Sequence, residues 1–407
     1  MSRLLPLPQR GRSGPWIAAL GIALVLAIQP WWFDRVAVAS GGAIGLTLLA
    51  AARWQLKWLP VLVLIVVGIA LRLSVVDHEA SDVADVTGGA IRMMLAGFDP
   101  YGIGYMASRP VGAAFPYGPV ALFWYLPFRD DPRLLEFLVS VGLMAYFGIR
   151  AANGRPIGLA IFAVAPPIVL ATMDGSNDTS AGLLILLAIA VGVSRPLVGA
   201  AIFAVAASFK AYAVAWVPAY LLWAGLPALV AFVGASVVAW APVLFHWGID
   251  SYVKSLAMAQ QTHLRQSYWS LGSVLDGIAP GLAPRFLETA RYVVAGAIAV
   301  VGGRMARSMD GVIVVGSVAF LVAQFGGYWG SYVYLAALVP VLCWRIDDWV
   351  RIALPELQRA YGRADVLGRR PDRKPVEAPE LAPRPVATVI QTVSPERRSR
   401  PSRNATG

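Results

Sequence analysis

KWLPVLVLIVVGIALRLSVV at residues 57–76 runs directly into DHEASDVADVTGGAIRMMLAGFDPYGIGYMASRPVGAAF at 77–115. The first stretch is apolar for long enough to cross a hydrocarbon core of roughly 30 Å at about 1.5 Å per residue. The second holds five carboxylates (Asp77, Glu79, Asp82, Asp85, Asp99) against two arginines (Arg92, Arg109), in a chain of net charge +11. Carboxylates gathered beside an apolar run suit general bases or ligands at a membrane surface.

Working outward, apolar runs of about 16–20 residues recur along most of the 407-residue chain, which is 58% hydrophobic and 14% charged. A soluble domain would not repeat such runs, and a barrel would show ten-residue alternating strands instead. The expected fold class is therefore all-α: a polytopic membrane protein of about twelve spans, within a range of 10–13. The runs fall at roughly 15–33, 36–52, 57–76, 133–150, 156–172, 179–194, 196–209, 211–224, 227–246, 288–303, 311–327 and 329–344. Segments 196–209 and 211–224 are short and could form one broken element. Residues 117–128 are apolar but short and bounded by prolines, which predicts a half-helix or a helix lying at the surface.

Lys and Arg in short loops set the orientation. Arg3, Arg10 and Arg12 place residues 1–14 inside, and Arg53, Lys57, Arg150, Arg155, Arg195, Arg304 and Arg307 fall on the same side. Residues 15–345 then form the membrane domain, with outer loops at 77–116 and 247–287. No small-residue cleavage site follows the first run, so a retained first helix is expected. The segment 346–407 is expected to be a disordered, basic cytoplasmic tail. From Arg345 onward the chain has 13 basic residues, 8 acidic residues and 8 prolines, with few large apolar side chains.

A single cysteine, Cys343, excludes an internal disulfide framework, and the three histidines lack a ligand spacing such as HExxH. No metal site is expected from protein ligands alone. In the acidic stretch, Asp82, Asp85, Gly89 and Arg92 share one helical face, with Val83, Val86, Ala90, Met93 and Met94 on the other. That pattern suits an interfacial helix with carboxylates toward a cavity, although Asp82 and Asp85 could equally cap a surface helix. Gly97 and Pro100 end it, and Asp99 reads as part of an Asp-Pro-Tyr turn. Tyr101 and Tyr117 are membrane anchors or stacking platforms for sugar rings. Asp174, Asn177 and Asp178 lie at the end of run 156–172. Lys210 sits against the positive-inside trend. It suits a lipid phosphate, or an ion pair with Asp174 or Asp178, or snorkelling. Lys254, His263, Arg265, Gln266, Tyr268 and Trp269 suit phosphate or glycan contact in the second large loop.

Four segments in order, SDVADVTGGAIRMMLAGFDPYG (81–102), FPYGPVALFWYLP (115–127), DGSNDTSAGLLILLA (174–188) and ASFKAYAVAWVPAYLL (207–222), carry a resemblance. Together they resemble the GT-C class of integral-membrane glycosyltransferases, most of all the bacterial polyprenyl-phosphate-mannose-dependent mannosyltransferases. The likeness covers roughly half the chain, from about Asp77 to Asp276. It implies transfer of a sugar from a polyprenyl-phosphate donor to an acceptor hydroxyl of a glycolipid or glycan, at the outer face of a bacterial plasma membrane. Asp82 would be the general base, with Asp85 second. Lys210 and Arg265 would hold the donor phosphate, while Tyr101, Tyr117, Asp174, Asn177, Asp178, His263 and Tyr268 would line the cavity. Beyond membrane lipid, donor and acceptor, no nucleic-acid partner is implied, and a divalent metal is left open. Arabinofuranose and glucose donors remain open beside mannose. Two departures stand out: the carboxylates are spaced Asp82-x-x-Asp85 rather than Asp-x-Asp or Glu, and two spans, not one, precede the span entering the acidic loop. The competing readings are a lipid-linked-sugar transporter, which often carries an internal repeat not seen here, and a non-catalytic assembly partner.

Overall fold

Proline marks where helices begin. Pro60, Pro119, Pro132, Pro166, Pro196, Pro218 and Pro227 each occupy the first or second helical position. There the missing N–H has no intrahelical partner to lose. The computed structural model describes residues 14–27, 35–53, 58–77, 81–109, 111–263, 269–279, 281 and 286–368. The fold is all-α apart from one short hairpin.

The order is α1 (Gly14–Ala27), α2 (Arg35–Arg53), α3 (Leu59–Ser74), α4 (Val83–Leu95), β1 (Gly104–Tyr105), β2 (Ala113–Ala114), α5 (Pro119–Tyr125), α6 (Pro132–Ala152), α7 (Ile157–Val164), α8 (Pro166–Met173), α9 (Asp178–Gly192) and α10 (Pro196–Phe209). A 3-10 turn (Ala211–Trp216) leads to α11 (Val217–Ala224) and α12 (Leu226–Pro242). Then follow α13 (Ile249–His263), α14 (Leu271–Ile278), α15 (Leu287–Ala297), α16 (Gly303–Met305), α17 (Met309–Phe325) and α18 (Leu335–Gly368). The strands pair antiparallel, Gly104 with Ala114 and Tyr105 with Ala113. α3 packs on α2, α6, α7 and α8; α9 lies on α6, α8 and α10; α10 carries α12 and α5; α17 packs on the 211–216 turn and α15.

Span-length apolar helices are fewer than the twelve expected. Among the described residues, Pro132–Ala152 and Leu226–Trp247 are long and apolar enough to cross a membrane, and a third would be Pro166–Met173 with Asp178–Gly192, bent by 113°. The expected run 156–172 is divided at Ala165 into two eight-residue helices, because Pro166 and Pro167 follow. Other apolar helices, among them 59–74, 196–209 and 309–325, are shorter. Residues 117–128 do form a short helix, α5, ending in a 3-10 turn. The loop expected over 247–287 contains α13 and α14. At the far end, α18 continues to Gly368, well past the boundary expected at 345. The first compact unit closes at Leu354; the second begins at Pro355, and residues 369–407 lie outside the described residues.

One buried cation explains how the α7–α8 break is tolerated. In an unbroken helix the carbonyls of Phe162 and Ala163 would receive the amides of residues 166 and 167, and both are prolines. Arg72 supplies the missing donors: Nη2 reaches Phe162 O at 3.0 Å and Nη1 reaches Ala163 O at 2.9 Å. Its remaining contacts are Gly68 O at 2.9 Å and Ser140 Oγ at 2.7 Å. At the other end of α7, Asp347 accepts from the amides of Ile157 and Gly158 at 2.9 and 3.0 Å, capping the helix from α18. Beside it, Asp348 pairs with Arg155 at 2.9 Å and Arg345 at 3.0 Å, and Arg345 with Asp310 at 2.7 Å.

Candidate functional site

The break after α8 also builds the site. The turn 174–177 between α8 and α9 receives the head of α4: Ser81 N donates to Asp174 O and Ala84 N to Gly175 O, both at 2.8 Å. Ala84 N is one of the amides that a helix start leaves without an internal partner. Gly175 has φ +90°, and a Cβ there would meet Ser81 O at 2.7 Å, so glycine is required for the docking. Asp82 stands at the N-cap position of α4 without capping it. Its Oδ2 instead accepts from the amide of Arg109, drawing the hairpin segment onto α4. Asp85, in the first turn of α4 where the helix dipole favours a carboxylate, is exposed on a small cleft lined also by Ser81, Ala84, Arg133, Asp174 and Gly175.

Behind this turn lies Lys210, only 7% exposed. It interrupts the helical path between α10 and the 211–216 turn with an extended backbone. Its ammonium donates to Asn177 Oδ1 at 2.6 Å and Asp178 Oδ1 at 2.9 Å. The rings of Tyr212, Tyr117 and Tyr334 surround it at 5.0, 5.2 and 5.7 Å, close enough for cation–π attraction. Tyr212 also donates to Asp178 Oδ1 at 2.5 Å. The ion pair with Asp178, one of the alternatives open from sequence, is formed. An ammonium has three N–H groups, and these two bonds leave one over the tyrosine faces. Burial, followed by Asp178, Tyr334 and Asp82, pushes the Tyr117 hydroxyl well above its ordinary range. Tyr117 thus feels the charge of both Asp82 and Asp178.

Asp174 is wholly buried; its Oδ1 accepts from Ser176 N at 2.9 Å and its Oδ2 from Tyr332 at 3.1 Å. Burial pushes its carboxyl up to about 7 despite the Ser176 amide. Tyr332 and Tyr334 reach the site from the loop 326–331. That loop is held by Glu288, which accepts from Tyr328 N, and by Arg291, which donates to Trp329 O at 3.0 Å. On α6, Glu136 accepts from Ser180 N at 3.0 Å, from Ser180 Oγ, and from Tyr125 at 2.5 Å. It therefore caps α9 from a neighbouring helix and holds the residues that grip Lys210.

Of the residues expected to form the site, Asp82, Asp85, Tyr117, Asp174, Asn177, Asp178 and Lys210 come together at one end of the bundle. Tyr101 is buried in an aromatic cluster with Phe115, Trp247 and Tyr252, one ring removed from Lys210, since Phe115 also meets Tyr117 at 5.4 Å. His263 closes α13, and Arg265 and Tyr268 lie outside the described residues. Sequence reasoning missed Glu136, Tyr212, Tyr332 and Tyr334. A lone glutamate inside the apolar run 133–150 was the available signal for the first, since a charge there has to find a partner or a function. Among the described residues, no three His, Cys, Asp or Glu side chains gather to hold a metal ion. Compared with known proteins, the chain matches no protein-family model, no curated protein and no solved structure.

Proposed function

We propose that this protein is a polytopic membrane glycosyltransferase of GT-C type, moving a sugar, with mannose the first candidate, from a polyprenyl-phosphate donor to an acceptor hydroxyl. One observation carries the reading: four motif segments spread over residues 81–222 meet at one end of the bundle. α4 docks on 174–175, and Tyr117, Asn177, Asp178 and Tyr212 converge on Lys210. About twelve spans, some bent or broken at prolines, remain the proposed topology, with this end facing out and the Arg150–Arg155 end facing in. A donor anchored in lipid requires a site at the end of a bundle rather than at its middle.

In the proposed reaction Asp82 accepts the proton of the acceptor hydroxyl as its oxygen bonds to the sugar C1. The bond from C1 to the phosphate oxygen breaks, and polyprenyl phosphate leaves with the electron pair. The result is inversion at C1 through an oxocarbenium-like transition state. The leaving phosphate needs no strong acid. The remaining N–H of Lys210 and the guanidinium of Arg265 are the proposed partners for its charge.

The test is sugar transfer in membranes of a host lacking the activity, with radiolabelled polyprenyl-phosphate sugars and mixed envelope acceptors. Label entering acceptor with wild type and not with Asp82→Ala is the expected result. Equal labelling by both moves the base to Asp85 or Asp77. No transfer by wild type from any polyprenyl-phosphate sugar refutes the enzyme reading.

A further inference from the structure

Buried polar atoms without a protein partner are rare, and ordered water or a ligand normally satisfies them. Among the described residues nine side-chain atoms are of this kind, and three belong to consecutive residues: Asn177 Nδ2, Asp178 Oδ2 and Thr179 Oγ1. Asn177 and Asp178 each use their other oxygen on the Lys210 ammonium, at 2.6 and 2.9 Å. Covalent geometry therefore keeps Asn177 Nδ2 and Asp178 Oδ2 within roughly 5 Å of that nitrogen.

The three atoms, on consecutive residues at the start of α9, are chemically mixed. Asn177 Nδ2 only donates, ionised Asp178 Oδ2 only accepts, and Thr179 Oγ1 does both. With an ionised carboxylate oxygen among them, the three atoms do not themselves suit an anion. A hydroxyl is complementary to them, because it donates and accepts at once. We propose that Asn177, Asp178 and Thr179 bind hydroxyl groups of the donor's sugar, beside a phosphate held by the third N–H of Lys210. The assignment rests on the glycosyltransferase reading and adds to it the residues that recognise the sugar.

Two substitutions remove a ligand-facing group and keep the contacts to Lys210. Thr179→Val deletes a hydroxyl that bonds nothing in the unliganded protein, at nearly constant shape. Asn177→Asp replaces the Nδ2 donor with an acceptor and retains an oxygen for Lys210. The experiment compares kcat/KM for the parent polyprenyl-phosphate sugar and its single-deoxy analogues, in wild type and in each variant, with thermal unfolding in detergent alongside. The expected result is that wild type rejects at least one deoxy donor by tenfold or more, in line with one lost hydrogen bond worth about 1.4 kcal/mol. The variants lose activity on the parent sugar and no longer make that distinction, while Thr179→Val unfolds at or above the wild-type temperature. If wild type transfers sugar and both variants keep its deoxy profile, water occupies these atoms and this assignment is overturned alone. If wild type transfers no sugar from any such donor, the glycosyltransferase reading falls and takes the assignment with it.

Discussion

Replacing Arg72 by methionine tests the account of the α7–α8 break. The guanidinium donates four hydrogen bonds, two of them to the carbonyls of Phe162 and Ala163 that Pro166 and Pro167 leave without amides. Gly68 O keeps a helical partner in the Arg72 amide, and Ser140 Oγ can turn to another acceptor. The uncompensated loss is therefore two buried carbonyls, at about 1–3 kcal/mol each. Methionine recovers some apolar packing, and the cost of burying a cation disappears, so the net destabilisation expected is about 2–4 kcal/mol. Chemical unfolding of purified protein in detergent, followed by far-UV circular dichroism, measures it. Arg72→Lys should fall between, since an ammonium supplies donors without the planar fork that spans two adjacent carbonyls. A loss below about 0.5 kcal/mol for Arg72→Met, in the range of an ordinary surface change, would refute the reasoning.

Gly118→Ala places a Cβ 2.0 Å from the carbonyl oxygen of Ser208. Because that neighbour is backbone, α5 and α10 must separate, at a cost of about 1–3 kcal/mol read from the unfolding midpoint. Asp347→Ala strips the acceptors from the first two amides of α7 and should cost about 1–2 kcal/mol, with Asp347→Asn milder because one oxygen remains. Asp174 titrates near 7 when folded, against 3.8 ordinarily, so the folded chain binds its proton more tightly. Its contribution is fully present below pH 3.8 and is lost as pH rises through 7. Unfolding midpoints measured across that window should show the fall in wild type and lack this part of it in Asp174→Asn.

Local chemistry was legible and long-range pairing was not. The Asp99–Pro100–Tyr101 turn could be read from three residues, and Asp99 does accept from Tyr101 N at 2.8 Å. The short helix at 119–125 followed from its flanking prolines, and the helical spacing along 82–95 foretold a helix with Asp85 and Arg92 on one face. The same pattern gave no sign that Asp82 would turn toward the Arg109 amide, 27 residues ahead. Run 156–172 was taken as one span although Pro166 and Pro167 lie inside it. What rescues the break is Arg72, some 90 residues away. Glu136 was overlooked for the same reason, since its partner Ser180 lies 44 residues along the chain. Past Arg345 the composition turns charged and proline-rich, yet α18 runs on to Gly368.

Three buried cations, Arg72, Arg291 and Lys210, stand among the described residues, and their surroundings differ. Arg72 sits in an apolar helix with its four hydrogen bonds directed at main-chain carbonyls and Ser140, and neither it nor its acceptors are among the buried atoms lacking a partner. Such a group is complete within the fold, so its substitution should register in stability. Lys210 is gripped by two side chains, and each of those keeps an unsatisfied atom within the same few ångströms. A fold gains nothing by sealing such atoms away: each carries a desolvation penalty of about 1–3 kcal/mol that a protein partner or an apolar side chain would remove. They gather around one cation, at the end of the bundle where α4 brings Asp82 and Asp85, and a bound group would satisfy them. The charge on Lys210 alone argues little, because Arg72 is equally buried. Arg291, also buried, keeps one unpartnered atom of its own, Nε, whereas at Lys210 the unpartnered atoms belong to the two side chains that grip it.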